Sequence, residues 1–420
     1  MPRFDLPAPV LSALRRVNEK GYEAYAVGGC VRDLLRGVTP NDYDICVSCP
    51  PQETHACFAG ERIIDTGIRH GTVTVILDGM PLEITTFRTD GAYTDGRHPD
   101  AVHFTGSLTE DLARRDFTVN AMAYHPDTGV VDPFGGQEDL QNRIIRCVGD
   151  PALRFTEDAL RILRALRFAA QLDFTIEENT VRALCDLRKR LHLVSRERVS
   201  AELRRAAVSP GAARALGRFP GVMLAALPDL PPSALPRGIA ALGRLAPCEE
   251  ELALAALLHA CGPVTAEACL DSLRLPKALE RDIAQLIGFA RQAFSVADAP
   301  LILAQCGQAQ FFRLLRLQTV CGVLSAQEAE TRARRAQAVL DAGLPLSLRD
   351  LPVNGCDLMA LGVSGPAVGD TLAALHWLVL QGEAPCERAA LLDWARKNRT
   401  NAPSRETGGS NDGTEKADGV

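Results

Sequence analysis

Short runs rich in β-branched and aromatic residues recur through the first third of the chain: Tyr25–Val27, Tyr43–Val47, Thr72–Leu77, Leu82–Phe87, Val102–Phe104 and Ile144–Val148. Gly-Gly, Asp-Gly and Asn-Asp separate them, a pattern that predicts a small sheet carrying a few helices. After Asp150-Pro151 the period changes. Leu160, Leu163, Leu166 and Ala170 recur at helical spacing behind Thr156-Glu157-Asp158, which reads as a helix cap. Helical patterning then continues to Arg396, broken by proline-rich connectors that are densest between Pro220 and Pro236. Residues 401–420 are rich in Gly, Ser, Asp, Thr and Glu without periodicity and predict a disordered tail. The expected class is α+β, with a mixed α/β head over 1–150 and all-helical segments over 151–215, 216–330 and 331–400.

Composition narrows the setting. A chain of 420 residues is too long for one core and implies at least two packed units. Its apolar stretches, near Leu252–Leu258 and Trp377–Leu380, fall far short of the roughly 20 residues that span a bilayer. Met1-Pro2-Arg3-Phe4-Asp5 interrupts any apolar start, so no export signal is expected and the cytoplasm is the expected compartment. The 13 cysteines are scattered, as for reduced thiols, and Cys46-x-x-Cys49 lacks the second Cys/His pair that a zinc ribbon needs. A net charge of −6 argues against wholesale coating of nucleic acid, yet basic residues crowd between Arg154 and Arg205 and suit one groove for RNA.

The segment Gly28-Gly29-Cys30-Val31-Arg32-Asp33, followed by Asp42-Tyr43-Asp44, carries the clearest chemistry. Glycines after a β run let backbone N–H groups approach a triphosphate, and Arg32 can donate to phosphate oxygens. Asp42 and Asp44, two apart on a strand, would point to one face. Paired carboxylates so placed can hold two Mg²⁺ ions about 3.5–4 Å apart, the geometry for in-line displacement at phosphorus. Glu83, a residue disfavoured in strands, sits inside the β-rich run Leu82–Phe87 and is the expected third ligand. Further on, Asp158 and Arg161 are three apart, so on a helix they share a face. An Asp acceptor beside an Arg donor matches the N4/N3 edge of cytosine and the N6/N1 edge of adenine. Uracil and guanine mismatch at both atoms, and each good pairing discriminates by about 1–3 kcal/mol. An i,i+3 surface salt bridge is the plain alternative.

Together these segments resemble the DNA polymerase β-like nucleotidyltransferases, and within them the class II tRNA nucleotidyltransferases (CCA-adding enzymes) and bacterial poly(A) polymerases. The resemblance runs in family order through Arg114-Arg115-Asp116-Phe117-Thr118-Val119-Asn120-Ala121-Met122, similar to a ribose-recognition motif, and Asp132-Pro133-Phe134-Gly135-Gly136, similar to a hinge. It continues with Glu157-Asp158-Ala159-Leu160-Arg161, similar to the nucleobase-template motif, and Ser195-Arg196-Glu197-Arg198, similar to a neck motif. Weaker similarity extends through Leu351–Leu358 to about Arg396. It implies a nucleotidyltransferase head over 1–150, a neck over 151–215, a body over 216–330 and a tRNA-binding tail over 331–400. Implied too are addition of C, C and A to the tRNA 3′ end from CTP and ATP, two Mg²⁺ on Asp42, Asp44 and Glu83, and nucleotide contacts from Gly28, Gly29, Arg32, Arg115, Asp116, Asn120, Asp158, Arg161, Arg164 and Arg167. The polar loop Thr89–Asp100 looks full length, as final A addition requires in the family, and Asp65–Val73 looks like the tRNA branch rather than the poly(A) branch. A-only addition, CC-only addition and poly(A) synthesis are the alternatives. Leu254–Ala260 occupies the place where some relatives carry a His-Asp phosphohydrolase signature, but Ala260 stands where the Asp would be, so His259 is expected to be structural. A noncatalytic RNA-binding protein would be expected to have lost its carboxylates, and all three are present.

Overall fold

Each of the six predicted β runs carries a strand in the computed structural model, which describes residues 4–65, 67–91, 102–245 and 247–398. In chain order the strands are β1 (Ala24–Val27), β2 (Asp44–Val47), β3 (Arg62–Ile64), β4 (Thr72–Leu77), β5 (Met80–Thr86), β6 (Arg88–Asp90), β7 (Val102–Phe104), β8 (Ala123–His125), β9 (Gly129–Val131), β10 (Ile144–Ile145) and β11 (Thr175–Ile176). Those not expected (β3, β6, β8, β9 and β11) have three residues or fewer, too few for alternation to show. Seven strands form one mixed sheet in the order β3-β4-β5-β2-β1-β8-β9. β4 and β5 form its hairpin. Exposure alternates along β4, and Asp78 and Gly79 turn at φ 48° and 81°, the positive angles that a two-residue hairpin turn demands. The runs Val102–Phe104 and Ile144–Val148 leave this sheet: β7 pairs with β6, and β10 pairs in parallel with β11.

The helices of this region are α1 (Ala8–Glu19), α2 (Gly29–Leu35), α3 (Pro51–Cys57), α4 (Leu108–Ala113), α5 (Gly136–Gln141), α6 (Pro151–Glu157), α7 (Leu160–Leu172), α8 (Glu178–Leu187) and α9 (Arg196–Ala207). Val10, Ala13, Leu14 and Val17 of α1 repeat at three and four residues and bury one face of that helix with Ile45, Val47, Leu82 and Ile84 of the sheet. The other face of the sheet contributes Val27, Cys46 and Ala123, which pack with Phe87 and with Leu112 of α4. Alternation along β2 therefore sends Asp44, two residues before Cys46, to the α4 side.

The helical region begins earlier than Thr156 and contains a break. Asp150 caps α6, its side chain accepting the Ala152 N–H at 2.9 Å, while Asp158 stands in extended conformation (φ −141°, ψ 104°) between α6 and α7. Asp158 Oδ1 then accepts the Leu160 N–H at 3.0 Å, so the expected cap operates inside the region, not at its start. Buried residues surround α7, and Phe168 on it meets Phe117 edge to face at 5.7 Å and 78°.

The chain divides into two compact units, Met1–Gly288 and Phe289–Val420, a division inside the segment 216–330. The second unit is helical, with a small core around Leu358, Leu375, Val379 and Leu391. There Asn354 caps the helix Gly355–Ala360 reciprocally with Asp357. Residues 92–100 of the Thr89–Asp100 loop and the tail 401–420 lie outside the described residues. Among the described residues no helix is long and apolar enough to cross a membrane.

Candidate active site

Strand register decides the first element of the site. β2 and β5 run parallel with Asp44 directly opposite Glu83, which sets the two residues side by side on neighbouring strands whose backbones lie about 5 Å apart. β2 begins at Asp44, so Asp42 lies in the segment leading into it rather than in the strand. Exposure nonetheless alternates, with Asp42 and Asp44 open to solvent and Tyr43 buried between them, so the expected shared face holds. Although Asp44 opens outward, desolvation by its surroundings, then Glu83 and Asp42, raise its carboxyl to about 6, with Arg115 opposing them. Among the described residues no group of three or more His, Cys, Asp or Glu side chains forms a ready metal cage.

Above the carboxylates lies a cleft of about 500 Å³ lined by Asp42, Asp44, Asp116 and Asp158 and by seven arginines: 32, 114, 115, 161, 164, 167 and 198. Gly28, at φ 81°, forms its floor, where a Cβ would come 3.1 Å from Arg115 Nη1. α4 delivers Arg114 and Arg115, both anchored on the fully buried Asp111, Arg114 Nη2 at 2.7 Å and Arg115 Nη2 at 3.2 Å. Burial works against charge on Asp111, but Arg115 and Arg114 overcome it and hold the carboxyl below its usual range. Arg32 donates from Nε and Nη2 to Asp33 and from Nη1 to Asn120 Oδ1 at 2.7 Å. Asp116, 8% exposed, accepts from Arg164 Nε at 2.7 Å and from the Phe117 N–H at 2.9 Å. Burial opposes its charge and Arg164 more than compensates, so its carboxyl also sits low. Arg167 Nε lies 2.6 Å from Glu202 Oε2, a charge contact without hydrogen-bond angles, and its guanidinium covers the Phe168 ring at 4.1 Å. In the hinge-like segment Asp132 accepts the Gly136 and Gln137 N–H groups, and a Cβ on Gly136 would meet the Thr118 carbonyl oxygen at 2.3 Å.

Asp158 and Arg161 both reach the cleft, but not as one ion pair on a helix. Asp158 pairs with Arg198 of α9, Nη2 to Oδ2 at 2.7 Å and Nη1 to Oδ1 at 3.4 Å. Arg161 donates from Nη1 to Glu157 at 2.7 Å and from Nη2 to the Arg114 carbonyl at 3.1 Å. The break at Asp158 removes the helical phase that the i,i+3 argument assumed. The two side chains thus stand in the cleft as a separately held acceptor and donor. A hollow of similar size, about 490 Å³, in the second unit contains one carboxylate, Asp370, and no arginine. His259 is buried and donates through Nδ1 to the Ala256 carbonyl at 2.7 Å. Cys46 and Cys49 are fully buried, and burial raises both thiols, Cys49 to about 11.

Three regions of the chain match known families: residues 24–146 the Poly A polymerase head domain, 173–218 an RNA- and SrmB-binding site of polymerase A, and 246–395 tRNA nucleotidyltransferase domain 2. The CCA-adding enzyme of Lactobacillus gasseri is 37% identical over 409 residues, 92% of this chain and 96% of that one. That of Geobacillus thermodenitrificans is 39% identical over 394 residues, 91% and 95% of the two chains. The chain belongs to the CCA-adding enzyme family. Among solved structures, the Bacillus stearothermophilus CCA-adding enzyme in complex with CTP superposes with a TM-score of 0.81 at 33% identity, covering 94% of this chain and 99% of that one.

Against this family fold, sequence reasoning left out Asp111 and Phe168 and read Arg114 and Arg198 only as members of the ribose-recognition and neck motifs. The first was legible, because Asp111 stands three and four residues before Arg114 and Arg115, the spacing of helical ion pairs. Arg198 gave no such signal, since 40 residues separate it from Asp158.

Proposed function

We propose that this chain adds C, C and A in turn to the 3′ end of tRNA, using CTP and ATP, without a nucleic-acid template, in the cytoplasm. The observation that carries the reading is that one cleft unites the carboxylates Asp42 and Asp44 with an acceptor and donor, Asp158 and Arg161, suited to the edges of cytosine and adenine. Its support from relatives is that proteins called CCA-adding enzymes match along nearly their whole length, and one such enzyme was solved with CTP. In the reaction the 3′ hydroxyl oxygen of the RNA loses its proton to solvent and forms a bond to the α-phosphorus, the bond from that phosphorus to the β-phosphate oxygen breaks, and pyrophosphate leaves with the electron pair.

Asp42, Asp44 and Glu83 would hold two Mg²⁺ ions. The donors fit: they are hard oxygens, and desolvation, then the neighbouring carboxylates Glu83 and Asp42, raise Asp44, so its negative charge is one that a divalent cation would neutralise. No complete protein cage is required, because Mg²⁺ ordinarily takes one or two carboxylates and completes its shell with water and substrate phosphates. Such ions supply charge neutralisation at the departing pyrophosphate and acidify the attacking hydroxyl. The chain's own residues do the rest. Gly28 and Gly29 leave room for the triphosphate, and Arg32, Arg115, Arg164 and Arg167 offset its charge. Asp116 and Asn120, fixed by Arg164 and Arg32, face the ribose. Asp158 accepts the exocyclic amine of cytosine or adenine while Arg161 donates to the adjacent ring nitrogen; uracil and guanine oppose both groups, at about 1–3 kcal/mol per pairing.

The test offers tRNA transcripts ending before, within and after CCA, with each labelled NTP and Mg²⁺, and sequences the products. Ordered C, C, A addition that then stops is expected, and Asp42→Ala should lose both C and A addition. Runs of A, A alone, or more than about a tenth of wild-type activity in the variant, a barrier change below roughly 1.4 kcal/mol, would refute the assignment.

A further inference from the structure

Asp158 has four lone-pair directions on its two carboxylate oxygens. Oδ1 is taken by the Leu160 N–H at 3.0 Å and by Arg198 Nη1 at 3.4 Å, and Oδ2 by Arg198 Nη2 at 2.7 Å. One acceptor direction, on Oδ2, is left. Arg198 comes from α9, a different helix from either side of the Asp158 break, and both side chains line the cleft, Arg198 24% and Asp158 14% exposed. A carboxylate with a single vacant lone pair accepts one N–H, which is what the amine of cytosine or adenine offers. A carboxylate with both oxygens available accepts two parallel N–H groups, and the Watson–Crick edge of guanine offers such a pair, N1–H and N2–H. Uracil offers a single N–H between two carbonyls and cannot do the same.

We infer that Arg198 is a specificity-determining positioning residue, acting through Asp158 by occupying the carboxylate edge that would otherwise accept guanine. This rests on the reading of Asp158 as a base-selecting residue. It makes an unequal prediction for the two excluded bases. Loss of the Arg198 fork opens the guanine-accepting edge and leaves Arg161, still held by Glu157 and the Arg114 carbonyl, opposed to uracil. A general loosening of the cleft would admit both bases alike.

The experiment uses the full chain and measures single-turnover incorporation of all four NTPs onto tRNA lacking CCA and onto tRNA ending in CC. The variants are Arg198→Met, which keeps length without donors, and Arg198→Lys, which keeps charge without the fork and serves as the reader if the first does not fold. GMP incorporation relative to CMP should rise about tenfold or more, in the range that one bidentate contact discriminates, with UMP nearly unchanged. KM for CTP and ATP should rise more than kcat falls. In the Asp158→Ala background, Arg198→Met should add no further GMP incorporation, since the two act as one unit. Equal gains for G and U, no gain in either variant, or an undiminished gain without Asp158 would overturn the inference. Failure of the wild-type chain to select C and A would instead refute the underlying function.

Discussion

Replacing Asp44 by Asn removes one negative charge from a cluster in which Asp44 faces Glu83 across the strand pair and Asp42 along the chain. Desolvation and those two neighbours move its carboxyl from 3.8 to about 6, a difference that would be worth about 3 kcal/mol if fully felt. The side chain opens onto solvent, so screening reduces this to on the order of 1 kcal/mol. The sign follows from linkage. A carboxyl raised in the folded state binds its proton more readily there than in the unfolded chain, so the destabilisation is full above about pH 6, shrinks as pH falls from there toward the unfolded value of 3.8, and is gone below it. Asp44→Asn should therefore stabilise the protein at pH 7.5 in EDTA by about 1 kcal/mol, an increase of roughly 2–4 °C in Tm, and by only about a third of that at pH 4.5. The same variant should be inactive. Mg²⁺ or Mn²⁺ should raise the Tm of the wild type more than that of the variant. Paired thermal melts at both pH values decide the matter, and a variant less stable than wild type at pH 7.5 would refute the account of a charge-crowded site.

Glu83→Gln should cut the rates of C and A addition together, with part of the loss restored by higher Mg²⁺ or by Mn²⁺; wild-type rates at ordinary Mg²⁺ would reduce Glu83 to a solvent-facing strand residue. Asp158→Ala and Arg161→Ala should slow C and A addition by about 1–3 kcal/mol each while UMP and GMP gain relatively, whereas metal-ligand variants slow every nucleotide; single-turnover assays with four NTPs separate the two patterns. Gly136→Ala puts a Cβ 2.3 Å from a backbone carbonyl oxygen that cannot rotate away, so a loss of about 1–3 kcal/mol is expected in denaturant melts, and an unchanged midpoint would show that the hinge segment yields freely.

Local patterns in the sequence determined much of this protein. The β-rich runs found their strands because framing by turn residues is a local property, and Asp78-Gly79 set the β4–β5 hairpin by backbone angles alone. Gly28-Gly29, Asp42, Asp44, Asp158 and Arg161 were legible from residue type and spacing, whereas Arg115, Asp116, Asn120, Arg164 and Arg167 came only with the family resemblance; the structure gathers them all in one cleft. Glu83 was legible as a misfit in a strand, but only the parallel register of β5 on β2 put it opposite Asp44, because register depends on which strands pair. The cap at Thr156-Glu157-Asp158 was legible, but the i,i+3 argument placed Asp158 in helical phase with Arg161, and the extended backbone at Asp158 shows only in the structure. The partners of Asp158 and Arg161 were decided by packing: α9 brings Arg198 to one, and α4 brings the Arg114 carbonyl to the other. A half-buried charged side chain between helices takes whatever counter-charge the fold delivers, and residues 40 apart in sequence meet only in three dimensions.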